Sequence, residues 1–218
     1  MKKMIVLVTL IIFISACGVK EKNIGEIKEK QFVLEKVDHQ KDYVYLSEYK
    51  DMLYNNEEYI LNNLIINIKS EDVDNINLEL KSFVIKSFKD MKIDNGNLKN
   101  GNIINYDYYV NNDVISVIQR YFPYIDGVIG EEDCNVYVVS LDTGKSLSNE
   151  EILEKYKYDE EELLELIENK SNSDDIAFTI MNIKNNGYKL YINADNKLCI
   201  IFNEVDDNQS IRKELVLN

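Results

Sequence analysis

Three cysteines, one histidine and a large excess of carboxylates are the side chains in this sequence whose types could do chemistry. Cys17 has the most defined setting, Ile14-Ser15-Ala16-Cys17: an aliphatic residue, two small ones, then the thiol. This is the pattern of a bacterial lipobox. Small residues fit the subsites of a signal peptidase, the thiol is the nucleophile that accepts diacylglycerol, and cleavage leaves Cys17 as the first mature residue. The competing reading is an ordinary secretory signal with a cysteine just past the cut. Lys2 and Lys3 precede an apolar run over residues 4–14 that only Thr9 interrupts. That run is shorter than the roughly 20 residues a membrane-spanning helix needs. Residues 1–16 are therefore expected to be a lipoprotein signal peptide and Cys17 the lipidation site. Two or three acyl chains anchor stably, since each buried CH₂ contributes about 0.8 kcal/mol. The remainder is expected on the outer face of the cytoplasmic membrane. Abundant Asn, Ile and Lys with a single Pro suggest an AT-rich genome and, with the lipobox, a Gram-positive cell.

Cys134 and Cys199 stand in the strand-like segments "CNVYVV" and "KLCIIF". Outside the cytoplasm a disulfide between them is permitted, but two buried free thiols are the favoured reading. A Ser–His–Asp or Cys–His site would have to use His39, the one histidine, and no Gly-x-Ser-x-Gly is present. One His and two distant Cys do not make a zinc site, so no metal is expected there. The run Glu131, Glu132, Asp133 has oxygen ligands for calcium but not the spacing of an EF-hand loop, and acidic loops are commonly just solvated. With 39 acids some carboxylate pair exists on paper, so pairing alone points to no glycosidase. No phosphate-cradling glycine loop is found, no cofactor is expected, and no catalytic residue is assigned. The reading is of a protein that is not an enzyme; a carboxylate-based wall hydrolase is the weaker alternative.

Net charge is −14, and two units more negative once Lys2 and Lys3 leave with the leader. A basic nucleic-acid footprint is absent, so no nucleic-acid partner is expected. The charge favours cationic partners, or merely solubility. Tyrosine is frequent: Tyr106, Tyr108 and Tyr109 in "NYDYYV" and Tyr121 and Tyr124 in "RYFPY" are a candidate binding face together with Glu131, Glu132 and Asp133. Packing between strands is the competing reading of those tyrosines.

Residues 17–30, charged and poor in apolar side chains, read as a flexible tether. An N-terminal strand-and-helix part over 31–100 and a C-terminal part over 101–218 follow, which can form one compact unit. "QFVLEKV", "DYVYLSEY" and "EEYILNNLIINI" alternate as strands do. Val73, Ile76, Leu80, Phe83, Val84 and Phe88 recur at helical spacing behind Ser70, a good N-cap. "IDNGNLKNGN" reads as the turn region that ends this helix. "IINYDYYV", "NND" and "VISVIQRYFPY" make a hairpin, and "CNVYVVSL" a further strand. Gly144 in "DTGK" supplies a positive φ, and Ser148 with Glu151 forms a capping box. "DEEELLELIENK" follows that helix, "SDDIAFTIMNIKNN" is read as a short helix, and "GYKLYIN", "ADN" and "KLCIIFNEV" as a final hairpin before a polar tail. The expected class is α+β, with an antiparallel or mixed sheet packed against a few helices.

The segment over residues 115–153 resembles the extracellular domain of RsiV-type anti-sigma factors and the accessory domain of PdaC-type peptidoglycan deacetylases. Tyr124 and Gly127 match that family's Tyr-x-x-Gly at a strand end. Residues 139–145, "VSLDTGK", match its strand running into Asp-x-x-Thr-Gly-Lys, here Asp142, Thr143, Gly144 and Lys145, with Leu147 and the Ser148-capped helix after it. "YINADNKLCIIFNEV" is similar to its last hairpin. Gly127-Val128-Ile129 stands where the family often has Gly-Ala-His. The resemblance implies an α+β module working at the cell wall, and in RsiV-type proteins that module binds lysozyme. The expected function is a lipid-anchored binding protein for a protein or cell-wall ligand, lysozyme-like and cationic in the leading case. A structural or accessory lipoprotein of a membrane complex is the alternative.

Overall fold

The computed structural model describes residues 42–52, 58–94, 97–111, 113–171, 176–206 and 209–217, all within the unit His39–Asn218. The leader, Cys17, the tether, the strand-like "QFVLEKV" and His39 lie outside the described residues. The class is α+β: helices packed on antiparallel sheets.

Strands β1 (Val44–Met52) and β2 (Glu58–Ile66) pair in an antiparallel hairpin, with Val44 opposite Ile66. Helix α1 (Glu71–Lys89) begins where Ser70 Oγ accepts the Val73 N–H, with Glu71, Asp72 and Asp74 in the first turn against the helix dipole. Its buried stripe is Val73, Ile76, Leu80, Val84 and Phe88. The Asn77 side chain accepts the Ile66 N–H and donates to the Ile66 carbonyl, at 2.8 and 2.9 Å. That amide supplies β2 with the two hydrogen bonds a neighbouring strand would make there.

The main sheet runs β3 (Lys92–Asp94), β4 (Asn97–Val110), β5 (Val114–Ile125), β6 (Val128–Ile129), with β7 (Asp133–Ser140) also on β5. The "IDNGNLKNGN" segment is therefore a hairpin of β3 and the start of β4, not only a helix terminator. Strand β5 is flanked by β4 on one side and by β7, then β6, on the other. The change of neighbour falls at Pro123, the only proline: β7 pairs as far as Tyr121 and β6 from Tyr124. Proline has no N–H to offer a ladder. Asp126 and Gly127, both with positive φ, close the β5–β6 hairpin.

Helices α2 (Asn149–Tyr156), α3 (Glu160–Lys170) and α4 (Ile176–Asn186) lead to a second sheet of β8 (Lys189–Ile192), β9 (Leu198–Asp206) and β10 (Gln209–Val216), in the order β10-β9-β8. The capping box at Ser148 and Glu151 forms, and Asp159 with Glu162 makes another. The polar tail is thus largely a strand, β10.

Two cores result. Val117, Ile115 and Val139 join Leu64, Ile66, Ile76 and Leu80 under α1 and the first hairpin. Val114, Ile118, Cys134 and Val138 join Ile152, Leu163, Ile167, Leu190 and Ile200 beneath the second sheet and its helices. Strand β5 feeds both, because its successive side chains point to opposite faces.

The turn after β7 is seated on the start of α1. Ser70 Oγ donates to the Gly144 carbonyl at 2.6 Å, and Asp72 Oδ2 accepts the Ser146 N–H at 2.9 Å. Gly144 has φ +68, and a Cβ there would stand 2.7 Å from Ser70 Cβ. Gly144→Ala is expected to lower unfolding stability by about 2–3 kcal/mol, combining left-handed strain with that clash. Urea unfolding followed by circular dichroism measures it; an unchanged midpoint would show that the turn is not held this way.

Candidate functional site

The alternation of strands distributes the candidate tyrosines before any question of binding arises. Tyr106 and Tyr108 of β4 lie opposite Gln119 and Val117, and Tyr121 shares their face, toward α1. Tyr109, opposite Ser116, and Tyr124 take the other face of the sheet, the one that meets the second sheet. The five tyrosines therefore do not form one binding face, a correction to the sequence reading that follows from the two-residue strand period. Tyr121 packs on Phe83 with ring centroids 4.7 Å apart, and Tyr109 stacks on Tyr191 at 5.6 Å. Gln119, fully buried, donates to Tyr106 Oη at 3.2 Å and accepts from Asn135 Nδ2 at 3.1 Å.

The acidic run also divides. Glu131 is exposed. Glu132 accepts from Arg120 at 2.7 Å, and Asp133 accepts from Arg212 at 2.7 Å, from Tyr121 Oη at 2.6 Å and from the Cys134 N–H at 2.7 Å. These carboxylates are occupied in holding the start of β7. Among the described residues no group of His, Cys, Asp and Glu is placed to hold a metal ion. Of the family-like turn, Asp142, Thr143 and Lys145 are exposed while Gly144 is buried against Ser70.

A charged network, missed in the sequence, joins the sheets. Arg120 donates to Asp107 at 2.6 Å, Glu132 at 2.7 Å and Glu214 at 2.8 Å. Burial lowers the Arg120 affinity for its proton, but hydrogen bonds to Asp107, Glu214 and Glu132 more than offset this, and the guanidinium is held firmly charged. Tyr191 Oη donates to the other oxygen of Glu214, and burial with that carboxylate pushes the phenol up. Burial and the Asp133 hydrogen bond likewise push Tyr121 up to about 12. For Asp133, burial acts upward but is outweighed by Tyr121, the Cys134 N–H, Arg212 and Lys189, so its carboxyl is held below the usual range.

Cys134 and Cys199 are both buried and free, so the disulfide left open by their spacing does not form in this structure. Burial raises both thiols. At Cys134 that effect prevails over Lys189, Arg212 and Arg120, so neither sulfur has the character of a depressed-pKa nucleophile.

Beside this network, along β7, runs a cleft of about 330 Å³ lined by Val136, Tyr137, Leu147, Tyr188, Lys189 and, from α1, Glu79. Tyr137 is raised by burial and by Glu79, and Tyr188 by burial and by the nearby charges of Glu160 and Glu150. The cleft thus opens among carboxylates. Its lysine is engaged: Lys189 Nζ donates to the Cys134 carbonyl and lies 3.9 Å from Asp133. The arrangement offers apolar and aromatic walls, peptide groups and negative charge.

Arg120→Met, which keeps the bulk and leaves three acids facing one another, is expected to cost about 2 kcal/mol by urea unfolding. A carboxyl held below its unfolded value contributes stability above about pH 4 and loses it as pH falls. Asp133→Asn should therefore flatten the acid limb of the stability–pH curve; an unchanged slope would show that Asp133 is not anchored in solution. No family model and no curated protein matches the chain, so these roles rest on its own geometry.

Proposed function

We propose that this chain is a lipid-anchored, extracytoplasmic binding protein of a Gram-positive cell surface. Its RsiV-like module captures a cationic protein, lysozyme-like in charge, or a cell-wall ligand, and it does no catalysis. The observation that carries this reading is the charge: −14 overall, with Glu150, Glu151, Glu154, Glu160 and Glu161 exposed on α2 and α3 beside the cleft. Such a field speeds encounter with cationic partners and disfavours anionic ones. The turn at residues 142–145, between a strand and a capped helix, agrees with the pattern of the RsiV-like resemblance and supports the same reading.

One observation favours a second reading, an accessory lipoprotein docked on a membrane complex. The β5–β6 hairpin tip exposes Ile125, Val128 and Ile129 at 60, 67 and 54%. Cross-linking from this tip would recover a neighbouring membrane protein if that reading holds.

Calorimetric titration of the full-length protein with hen lysozyme, at low and at physiological salt, tests the leading reading. Saturable binding is expected to survive at physiological salt, where the screening length is about 8 Å. Binding that vanishes with added salt would reduce the interaction to general acid–base attraction. Turnover of peptidoglycan fragments, lost on replacing a single carboxylate, would instead make the protein an enzyme.

A further inference from the structure

Strand β10 has β9 on one side and, among the described residues, no strand on the other. The hydrogen bonds fix which of its peptide groups point outward. The Leu217 N–H donates to the Leu198 carbonyl, so Leu217, and with it Leu215, Lys213 and Ile211, turn their peptide groups toward β9. Arg212, Glu214 and Val216, between them, turn theirs away. Lys170 Nζ takes the outward Val216 carbonyl at 2.7 Å. Among the described residues no hydrogen bond takes the peptide groups of Arg212 or Glu214.

What lies beyond that edge follows from how β10 crosses the main sheet. Arg212 reaches Asp133 at the start of β7, Glu214 reaches Arg120 on β5, and Val216 is exposed past them. At the other side of the second sheet, β8 meets β5 at Ser116 through the Ile192 N–H. The order β8-β9-β10 therefore advances along β5 from Ser116 to Arg120, and the open edge of β10 looks toward the end of β5. Side chains two apart share a face, so Phe122 and Tyr124 continue the row of Arg120. Ile103 stands opposite Phe122, and Ile129 opposite Tyr124. Ile103, Phe122 and Tyr124 are half-buried, and Ile129 is 54% exposed. A strand added beside β10 would lie about 4.8 Å farther on, and the Phe122 row lies roughly 6.7 Å beyond Arg120, so the inward side chains of that strand would rest on this shelf.

We propose that the ledge made by the β10 edge and this shelf takes an extended, basic segment of a protein partner, added to the second sheet as a further strand. Hydrogen bonds to the Arg212 and Glu214 peptide groups would supply affinity, and apolar side chains at alternate positions, set on Phe122 and Tyr124, would supply specificity. The charge of the occupant follows from the rim. Asp107, Glu132 and Glu214 surround the one guanidinium of Arg120, an excess of acid at the back of the shelf, and Glu131 stands exposed beside it. Lys99 and Asp126, joined through their peptide groups, offset one another. A second copy of this chain does not fit: paired to β10 about a two-fold axis, it would bring its own shelf to the same side and into the same space. The inference rests on the binding reading given above and specifies where the partner segment lies, its conformation and its charge.

The first readout needs no ligand. In the free full-length protein the Arg212 and Glu214 amide protons are expected to exchange fast, and those of Ile211, Lys213 and Leu215 slowly, because only the latter belong to the β9 ladder. Peptides selected on the same protein from a phage-displayed random library are expected to carry net positive charge and apolar or aromatic residues at alternate positions. They should slow exchange at Arg212 and Glu214. Phe122→Ala and, at the exposed rim, Ile129→Lys should each weaken them about tenfold or more. Should Phe122→Ala fail to fold, Ile129→Lys and N-methylation scanning of the peptide stand in for it. Binding should then be lost at alternate N-methylated positions and kept at those between. Protection of the Arg212 and Glu214 amides in the free protein, enrichment of peptides without basic residues, uniform tolerance of N-methylation, unchanged affinity in the folded variants, or a dimer that protects those two amides would each overturn the proposal. Lysozyme binding that persists in the folded Ile129→Lys protein would overturn it for that partner and leave the binding reading standing. Capture of basic extended peptides without lysozyme binding would support the proposal while removing lysozyme as the partner.

Discussion

From Val114 to Gln119, every side chain of strand β5 is buried. Every other element is arranged by that fact. A strand buried on both faces needs a layer on each, and here one layer is α1 with the first hairpin, the other the β8–β10 sheet with its helices. It also needs a neighbour on each edge. One neighbour is the long β4; the other is shared between β7 and β6, because Pro123 interrupts the ladder. Polar residues inside such a strand must find partners there, and they do. Ser116 takes the Ile192 N–H and Gln119 bonds to Tyr106 and Asn135, so the buried hydrogen-bonding groups themselves fix how the layers meet.

The Arg120 network extends the same logic to charge. A guanidinium that leaves water keeps its charge only among carboxylates, and Asp107, Glu132 and Glu214 come from three separate segments to meet it. Such a cluster favours one alignment of β4, β5 and β10 over slipped ones, since a one-residue slip would put each acid on the wrong face. The outer edges of β2 and β7 are closed in different ways: Asn77 occupies the Ile66 peptide group on β2, while residues 145–147 and the Lys189 side chain take outward groups of β7.

Much of the fold was readable in the residues. The α1 stripe, its Ser70 cap, the Ser148 capping box, the positive φ at Gly144 and the β4–β5 and β8–β9 hairpins all appear where local pattern puts them. The two-residue β6 was not read from the sequence, and strands β10 and β3 were not readable for physical reasons. Strand β10 carries Arg212 and Glu214 toward partners on other strands, so its inward face reads as polar surface. The β3–β4 start is rich in Asn and Gly, and its pairing is decided by the adjoining sheet rather than by propensity. The candidate tyrosines were identified by abundance, but abundance is blind to which side of a sheet a residue takes. The Arg120 cluster could be found only in three dimensions, since its acids lie 12, 13 and 94 positions away along the chain.

The close seating of Gly144 on Ser70 has an evolutionary side. A side chain at 144 would run into the Ser70 side chain, while that hydroxyl both caps α1 and holds the Gly144 carbonyl. Neither position can enlarge without the other giving way, although they stand 74 residues apart. Across diverging descendants of this chain the two sites would be inherited as a linked pair, and a substitution at one would persist only in lineages that had already accommodated it at the other.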